Sequence, residues 1–313
     1  MSRKYIWLAD DFLEEDYTQA WISYPIMPRG GHVLLHGKRN IGKTALVMSM
    51  ITGLVHGAKL YGRYQTEPCK VALVESDMPD VMLHERLWVG YHHFDYPGLM
   101  ICTAPAMNML QLDRADYYEE IYDTLQKHNP DVMVWDTLRK VQPLEENDNA
   151  SPAVVYGKAR VMFPDACHVW VHHNKKTIKD QDFLDNEELF AGAGAWIDNA
   201  DTGIHLVEAQ EGRCTLHFTK VRGGPPQRPV AVQLDIDTMM FYRYMPRAVL
   251  YANQAMKLHP SWDEEELAFW LAASLIYPPK QAKLFAVRYF ENRRDPHSDK
   301  YGQKNLELNG EQT

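Results

Sequence analysis

The sequence predicts an α/β fold with a mainly parallel central sheet, antiparallel strands at one edge and a small helical appendage at the C-terminus. Short apolar runs bounded by turn residues alternate with segments of helical period, which is the pattern of βαβ units. Close-spaced strand patterns separated by turn signals follow from about residue 200. After Tyr244 the pattern becomes helical. We therefore divide the chain into a core, 1–246, and an appendage with a polar tail, 247–313.

The individual elements follow from apolar spacing and turn signals along the chain. The predicted parallel strands are 32–37, 70–76, 131–137 and 168–173, and the helices that follow the first three are 44–57, 79–94 and 154–163. The predicted antiparallel strands are 202–209, 213–221, 228–236 and 239–245. In the appendage we expect two helices, Trp262–Ile276 and Pro279–Asn292, because a Pro-Pro pair separates them.

The overall composition excludes several classes of protein. The chain has 313 residues, of which 45% are hydrophobic and 24% charged, which is typical of a globular protein and excludes disorder of the whole chain. The formal net charge of −9 excludes a protein whose whole surface is basic and coats nucleic acid. Any contact with nucleic acid must therefore be local.

Cysteine spacing and apolar segments indicate the compartment. The four cysteines form no CxxC pair, so neither a zinc knuckle nor a disulfide framework is expected. The apolar stretch 267–277 is about half of the ~20 residues that span a bilayer, and the acidic N-terminal segment does not resemble a signal peptide. We expect a cytoplasmic protein without membrane contact.

The most specific motif is GxxxxGK[ST] at residues 37–44, directly after a strand pattern and before a helix pattern. Its glycines allow backbone N–H groups and the helix N-terminus to surround phosphate oxygens. Lys43 then neutralises phosphate charge, and the Thr44 hydroxyl is a ligand for Mg²⁺. The expected cofactors are ATP and Mg²⁺. The residues expected to bind the nucleotide are Gly37, Lys38, Arg39, Asn40, Ile41, Gly42, Lys43, Thr44 and Ala45.

Two carboxylates end neighbouring strand patterns. Asp136 follows an apolar run and is the expected second Mg²⁺ residue beside Thr44, although a strand-terminal Asp can also serve as a cap. Glu75 ends the intervening strand and is the candidate base that orients water. Asp77, two positions later, is a rival for that role. The sequence thus predicts a hydrolytic site with two acids.

This order of motifs resembles the RecA-like branch of P-loop ATPases, and in particular the hexameric replicative helicases of RepA and DnaB type from plasmids, phages and bacteria. The resemblance covers about residues 20–225. In that branch the catalytic glutamate ends the strand after the P-loop helix, which matches Glu75. The residues Asp-Thr-Leu-Arg at 136–139 resemble the RepA continuation of the second motif.

Two further elements of the resemblance concern the γ-phosphate. The segment 168–176 is similar to the His-His-x-x-Lys segment of RepA-type proteins, which implies His173 as the phosphate sensor; the alternative is a histidine that merely ends a strand. Lys220 and Arg222 resemble the Lys-x-Arg-Gly element that supplies cations to the neighbouring subunit's nucleotide. Residues two apart on a strand share a face, so both could reach one phosphate, although such pairs also protect edge strands. The resemblance implies a homo-oligomer, a hexameric ring.

Two polar segments, 139–153 and 175–186, follow the strands that end in Asp136 and His173. In RecA-like proteins such loops line the central channel, but both also hold several acids, so solvated loops are the alternative. The candidate contacts to single-stranded DNA are Arg139, Lys140, Lys175, Lys176 and Lys179. The resemblance implies an ATP-driven DNA helicase. The alternatives are a recombination or strand-annealing ATPase that acts as a filament, and a small-molecule phosphotransferase.

Overall fold

A computed structural model describes Ala9 and residues 19–103, 119–141, 151–173, 194–210, 212–244 and 248–294. In these ranges the strands are β1 (Trp21–Ser23), β2 (Met27–Pro28), β3 (His32–Gly37), β4 (Val71–Glu75), β5 (Leu99–Cys102), β6 (Val132–Asp136), β7 (Cys167–His173), β8 (Thr202–Gln210), β9 (Arg213–Val221), β10 (Val230–Asp235) and β11 (Met240–Arg243). The helices are α1 (Lys43–Val55), α2 (Asp80–Tyr91), α3 (Glu119–His128), α4 (Leu138–Val141), α5 (Ser151–Met162), α6 (Gly194–Asn199), α7 (Ala248–Leu258), α8 (Glu264–Ala273) and α9 (Pro279–Arg294).

The central sheet has nine strands in the order β11-β10-β9-β8-β3-β7-β6-β4-β5. The strands from β8 to β5 pair in parallel, and β8, β9, β10 and β11 pair antiparallel. The predicted α/β class, a mainly parallel sheet with antiparallel strands at one edge, is confirmed. One detail differs, because β8 is parallel to β3 as well as antiparallel to β9 and therefore joins the two parts of the sheet.

The parallel strands β3, β4, β6 and β7 are buried on both faces, which explains their continuous apolar runs. Alternate residues of each strand enter two separate cores. Leu35 and Val171 belong to the core that holds α1 and the C-terminal helices. Leu34 and Trp170 belong to a second core on the opposite face, where the Trp170 ring stacks 5.1 Å from the ring of Trp135.

The antiparallel strands fold back against α1. The backbone N–H of Phe241 donates to Ser49 Oγ at 2.7 Å, and that hydroxyl donates to the Ala45 carbonyl at 2.8 Å. Gly42, just before α1, has a φ of 97°, and a Cβ on it would lie 2.8 Å from the Phe241 ring. Only glycine therefore fits between this strand and the start of the helix.

Several elements lie outside the sequence prediction. Strand β5 is short and only partly buried, so its apolar pattern carries little signal. Within residues 248–294 there are three helices, not two, because α7 precedes the predicted pair. The first predicted helix is shorter than expected: it begins at Glu264, after an N-cap Asp263 that forms a capping box with Glu266, and it ends at Ala273.

The C-terminal helices share the core of the sheet. Leu267 and Leu271 of α8 are completely buried in the same cluster as α1. The backbone N–H of Gly62 donates to the Ser274 carbonyl at 3.0 Å, and the N–H of Arg243 donates to the Leu275 carbonyl. The division of the chain near residue 247 stays a prediction, and these contacts attach the helices firmly to the sheet.

Candidate nucleotide site

The carboxyl ends of four parallel strands bring the main predicted residues to one edge of the sheet. Strand β3 ends at Gly37, which is level with His173 at the end of β7. Glu75 at the end of β4 is the register partner of Asp136 at the end of β6. Because parallel strands present their carboxyl ends at the same edge, these residues surround the start of the P-loop, residues 37–44.

The Lys43 side chain forms hydrogen bonds with the backbone of the P-loop. Its ammonium group donates to the carbonyl oxygens of Gly37 at 2.9 Å and Lys38 at 2.7 Å. The side chain is buried, and burial lowers the pKa of Lys43 to about 8, while the negative charge of Asp136 acts in the opposite direction. The lysine thus lies between the loop carbonyls and the acids of the site.

Thr44 and Asp136 are in direct contact. The Thr44 hydroxyl donates to Asp136 Oδ2 at 2.9 Å, and Asp136 is buried. Burial raises the pKa of Asp136, and the Thr44 hydrogen bond and the charge of Lys43 oppose that shift. A hydroxyl and a carboxylate at this distance are oxygen ligands of the kind that Mg²⁺ takes together with substrate phosphates. The residues present therefore fit the expected metal.

Glu75 is a buried carboxylate with one oxygen left free. Its Oε1 accepts the backbone N–H groups of Asp77 at 2.8 Å and Met78 at 3.1 Å. Its Oε2 is buried and has no hydrogen-bond partner among the described residues. Burial, and then the negative charge of Asp136, raise the pKa of Glu75. This oxygen is suited to accept a proton from water.

Asp77, the rival base, has a different environment. Its side chain is 48% exposed, and one of its carboxylate oxygens lies 3.7 Å from Nε2 of His173. Burial and the nearby charges of Lys43 and Arg39 lower the pKa of His173 despite that carboxylate. The Nδ1 atom of His173 is buried and has no hydrogen-bond partner among the described residues. A neutral imidazole with a free nitrogen can bond to a phosphate oxygen or a water.

Lys220 and Arg222 lie at the opposite end of the sheet. The register pairs Val221 with Thr202 and Thr202 with Val33, so Arg222 is level with the start of β3. At ~3.3 Å per residue, the strand separates it from Gly37 by about 16 Å.

Both cations interact with the end of α6. Lys220 Nζ donates to the carbonyl oxygens of Ile197 at 3.1 Å and Asp198 at 2.6 Å. The Arg222 guanidinium donates to Asp201 Oδ1 at 3.3 Å and to the Asp198 carbonyl at 3.4 Å. The two side chains thus share one face, and within this chain they stabilise the carbonyl end of a helix.

The predicted DNA contacts are only partly described. Arg139 and Lys140 lie exposed on α4, immediately after the strand that ends in Asp136. Lys175, Lys176 and Lys179 lie outside the described residues.

Sequence reasoning missed Arg86 on α2. The residue is half-buried, and its positive charge is among those that oppose the burial-induced rise in the pKa of Asp136. The sequence carries a signal for it, because Arg86 is three and four residues from Leu83 and Gly90, both buried, and therefore lies on the inward face of the helix.

One cavity lies away from the P-loop. A cavity of about 460 Å³, lined in part by His56, Trp262 and Phe269, adjoins the C-terminal end of α1. That helix has 13 residues and is therefore about 20 Å long. The cavity is thus distant from the P-loop, which binds phosphates through backbone N–H groups.

Two features are absent from the described ranges. No group of three or more His, Cys, Asp or Glu side chains in these ranges has the arrangement of a metal site. In the same part of the chain, no helix combines the length and apolar character needed to cross a membrane.

The strand order, the P-loop and the paired acids define a P-loop ATPase-type domain. The chain belongs to the AAA domain family: the family model AAA_25, described as an AAA domain, matches residues 2–178, more than half of the chain. No curated protein matches the sequence.

Two solved structures are similar to this one. The flagellar accessory protein FlaH from Methanocaldococcus jannaschii is 12% identical, with a TM-score of 0.47 over 70% of this chain and 91% of that protein. A KaiC-like protein from Pyrococcus horikoshii OT3 is 14% identical, with a TM-score of 0.47 over 73% of this chain and 99% of that protein.

Proposed function

We propose that this protein hydrolyses ATP and that a homo-oligomeric ring couples hydrolysis to movement along single-stranded DNA, as in a replicative DNA helicase. One observation carries the hydrolytic part. The Thr44 hydroxyl is bonded to Asp136, and beside this pair lies Glu75 with a buried, unpaired carboxylate oxygen. A metal-binding pair next to a base is the minimum set for attack of water on a phosphate.

The chemistry assigns a role to each side chain. The loop N–H groups and Lys43 bind the β- and γ-phosphates of ATP. Mg²⁺, when bound by Thr44 and Asp136, stabilises the charge on the phosphate oxygens. Glu75 accepts a proton from the water that attacks the γ-phosphorus, and the bond from that phosphorus to the bridging oxygen breaks. The products are ADP and inorganic phosphate, and Arg86 supplies a further positive charge at this site.

The position of Lys220 and Arg222 supports an oligomer. Because about 16 Å of strand separates Arg222 from its own P-loop, a direct contact with its own nucleotide is excluded by the length of the side chain. A second copy joined head to tail would bring these cations to its neighbour's nucleotide, and such a contact closes into a ring when the rotation is right. We propose a hexamer on the resemblance to RepA- and DnaB-type helicases.

The DNA would be bound through cations near the same edge of the sheet. Arg139 and Lys140 are exposed directly after the Asp136 strand, and Lys175, Lys176 and Lys179 follow His173 in the sequence. Six copies of such residues would line a basic channel although each chain is acidic. All four cysteines are free, which suits the cytoplasmic location that we propose.

Steady-state ATP hydrolysis, measured with and without single-stranded DNA, tests the proposal. We expect marked stimulation by DNA in the wild type and at least about a 100-fold loss of turnover in Lys43→Ala. Hydrolysis that is indifferent to DNA would contradict the coupling and favour a phosphotransferase or a switch for a protein partner. If DNA stimulates hydrolysis, unwinding of a forked duplex indicates a helicase, whereas strand pairing without unwinding indicates the recombination or annealing alternative.

A further inference from the structure

Ser76 joins the two strands that carry the acids of the site. It directly follows Glu75 at the end of β4 and is nearly buried. Its hydroxyl donates to the Asp136 carbonyl at 2.9 Å and accepts the backbone N–H of Thr137 at 2.9 Å. Its own backbone N–H donates to the same carbonyl at 2.6 Å. The serine therefore holds both polar atoms of the peptide group that follows Asp136.

The connection continues to a third strand. The Thr137 side chain, which is 1% exposed, donates to the Val171 carbonyl of β7 at 2.9 Å. Strand β7 ends two residues later, at His173. Ser76 and Thr137 thus form a continuous set of hydrogen bonds across the carboxyl ends of β4, β6 and β7.

We propose that Ser76 is a positioning residue, whose hydroxyl fixes the backbone at Asp136 and so places the Asp136 carboxylate against Thr44 and beside Glu75. The inference rests on the proposed ATPase activity. Ser76 itself does not touch the nucleotide. It acts on a metal ligand through that ligand's backbone, and groups that orient metal ligands typically change metal affinity or activity by about 10- to 100-fold when they are removed.

A purely structural role for Ser76 is the competing explanation, and the chain offers a matched control. Ser49 also accepts one buried backbone N–H, from Phe241, and donates to one carbonyl, that of Ala45. Ser49→Ala therefore removes the same two kinds of hydrogen bond from the core without affecting the strands of the acids. Ser76→Thr keeps the hydroxyl and serves as the conservative variant.

The test compares wild type, Ser76→Ala, Ser76→Thr and Ser49→Ala in three measurements. These are kcat and KM for ATP, the Mg²⁺ concentration that half-saturates binding of a non-hydrolysable ATP analogue, and the melting temperature. For Ser76→Ala we expect kcat to fall about 10- to 100-fold and the half-saturating Mg²⁺ concentration to rise by about 10-fold. The affinity for the analogue without Mg²⁺ should stay within about 2-fold, since Lys43 and the loop bind the phosphates.

The controls separate the outcomes. Ser49→Ala should lower the melting temperature about as much as Ser76→Ala but should keep the wild-type kcat and Mg²⁺ dependence. Ser76→Thr, which retains the hydroxyl, should also keep the wild-type kcat and Mg²⁺ dependence. A Ser76→Ala protein that differs from wild type only in melting temperature would overturn the inference and leave the ATPase proposal intact. If the wild type shows neither hydrolysis nor Mg²⁺-dependent analogue binding, the proposed function itself fails, and the role of Ser76 fails with it.

Discussion

At the scale of single residues, the site combines two buried carboxyl groups of different character. Asp136 is bonded to a hydroxyl and lies near Lys43, whereas Glu75 has only backbone donors and one free oxygen. Burial raises the pKa of both, and the charge of Asp136 raises that of Glu75 further. Two neighbouring acids whose environments differ in this way are suited to separate roles, one as a metal-side carboxylate and the other as a base.

Lys43→Ala tests the P-loop at this scale. The substitution removes the ammonium group that the motif directs at the phosphates, and it leaves the carbonyls of Gly37 and Lys38 without their donor. We expect kcat for ATP to fall at least about 100-fold. Lys127→Ala, an exposed lysine at the opposite edge of the sheet, is the control and should keep wild-type turnover. Normal turnover in Lys43→Ala would refute the assignment of the P-loop.

The raised pKa of Glu75 has a consequence for stability. Burial and Asp136 raise that pKa from its usual 4.5 to about 8. Between these pH values the native state binds more protons than the unfolded chain, so the free energy of unfolding falls as pH increases. Glu75→Gln removes this dependence. Its melting temperature, without nucleotide, should increasingly exceed that of wild type from pH 6 to pH 9, by at least about 2 °C at pH 9.

The matched control for this measurement is Glu85→Gln, on the exposed face of α2. It should follow the wild-type melting curve at every pH. A constant difference between Glu75→Gln and wild type from pH 6 to pH 9 would show that Glu75 is ionised in both the folded and unfolded states across this range.

At the scale of elements, the direction of each strand decides which residues meet. The carboxyl ends of β3, β4, β6 and β7 gather the P-loop, both acids and His173, whereas antiparallel β9 ends at the opposite edge. Lys220 and Arg222 therefore interact with the end of α6 and not with the P-loop of the same chain. One chain therefore presents its P-loop and these two cations at opposite edges of its sheet.

Arg222→Ala tests action between subunits. The variant should lose ATPase activity, and mixing it with inactive Glu75→Gln should restore part of it. In the mixture, an intact Glu75 site can receive Arg222 from its neighbour. Arg160→Ala is the control, because Arg160 also approaches Asp201, at 3.9 Å, from an exposed position on α5. It should keep wild-type activity. Absence of recovery at every mixing ratio would argue against action in trans.

At the scale of the whole molecule, charge is distributed unevenly. The chain has a net charge of −9, yet exposed Arg139 and Lys140 lie directly after the strand that ends in Asp136. Strand β7, which ends in His173, lies between the Asp136 strand and the P-loop strand. The acids of the site are thus continuous in the chain with residues that we propose bind DNA.

The salt dependence of DNA binding tests this distribution. Affinity for single-stranded DNA should fall as salt rises, with a log-log slope of about −0.7 for each phosphate neutralised. The double variant Arg139→Ala/Lys140→Ala removes two such contacts and should make the slope less steep by about 1.4. The matched double variant Lys70→Ala/Lys127→Ala removes two exposed lysines at the opposite edge of the sheet and should not change it. Equal slopes in all three proteins would exclude Arg139 and Lys140 as phosphate contacts.

The sequence by itself determined the strands of the sheet interior and the places of the P-loop, Glu75 and Asp136 at the ends of those strands. Apolar runs reveal strands buried on both faces, and GxxxxGK[ST] needs a specific flanking strand and helix. Because Glu75 and Asp136 each end such a run, their meeting at one edge could be predicted once the strands were parallel. These features depend on local patterns, which a single sequence contains.

Only the tertiary structure decided how the strands are ordered and what the end residues contact. Three of these contacts join residues that are distant in sequence: β8 pairs with β3, the Phe241 ring packs against Gly42, and Ser76 forms hydrogen bonds with the backbone at Asp136 and Thr137. Helix α7 was missed because helical pattern alone gives no certain boundary. Such contacts follow from close packing and from the need to pair buried backbone groups. These effects act between different segments of the chain, so they produce no periodic pattern in the sequence of any single segment.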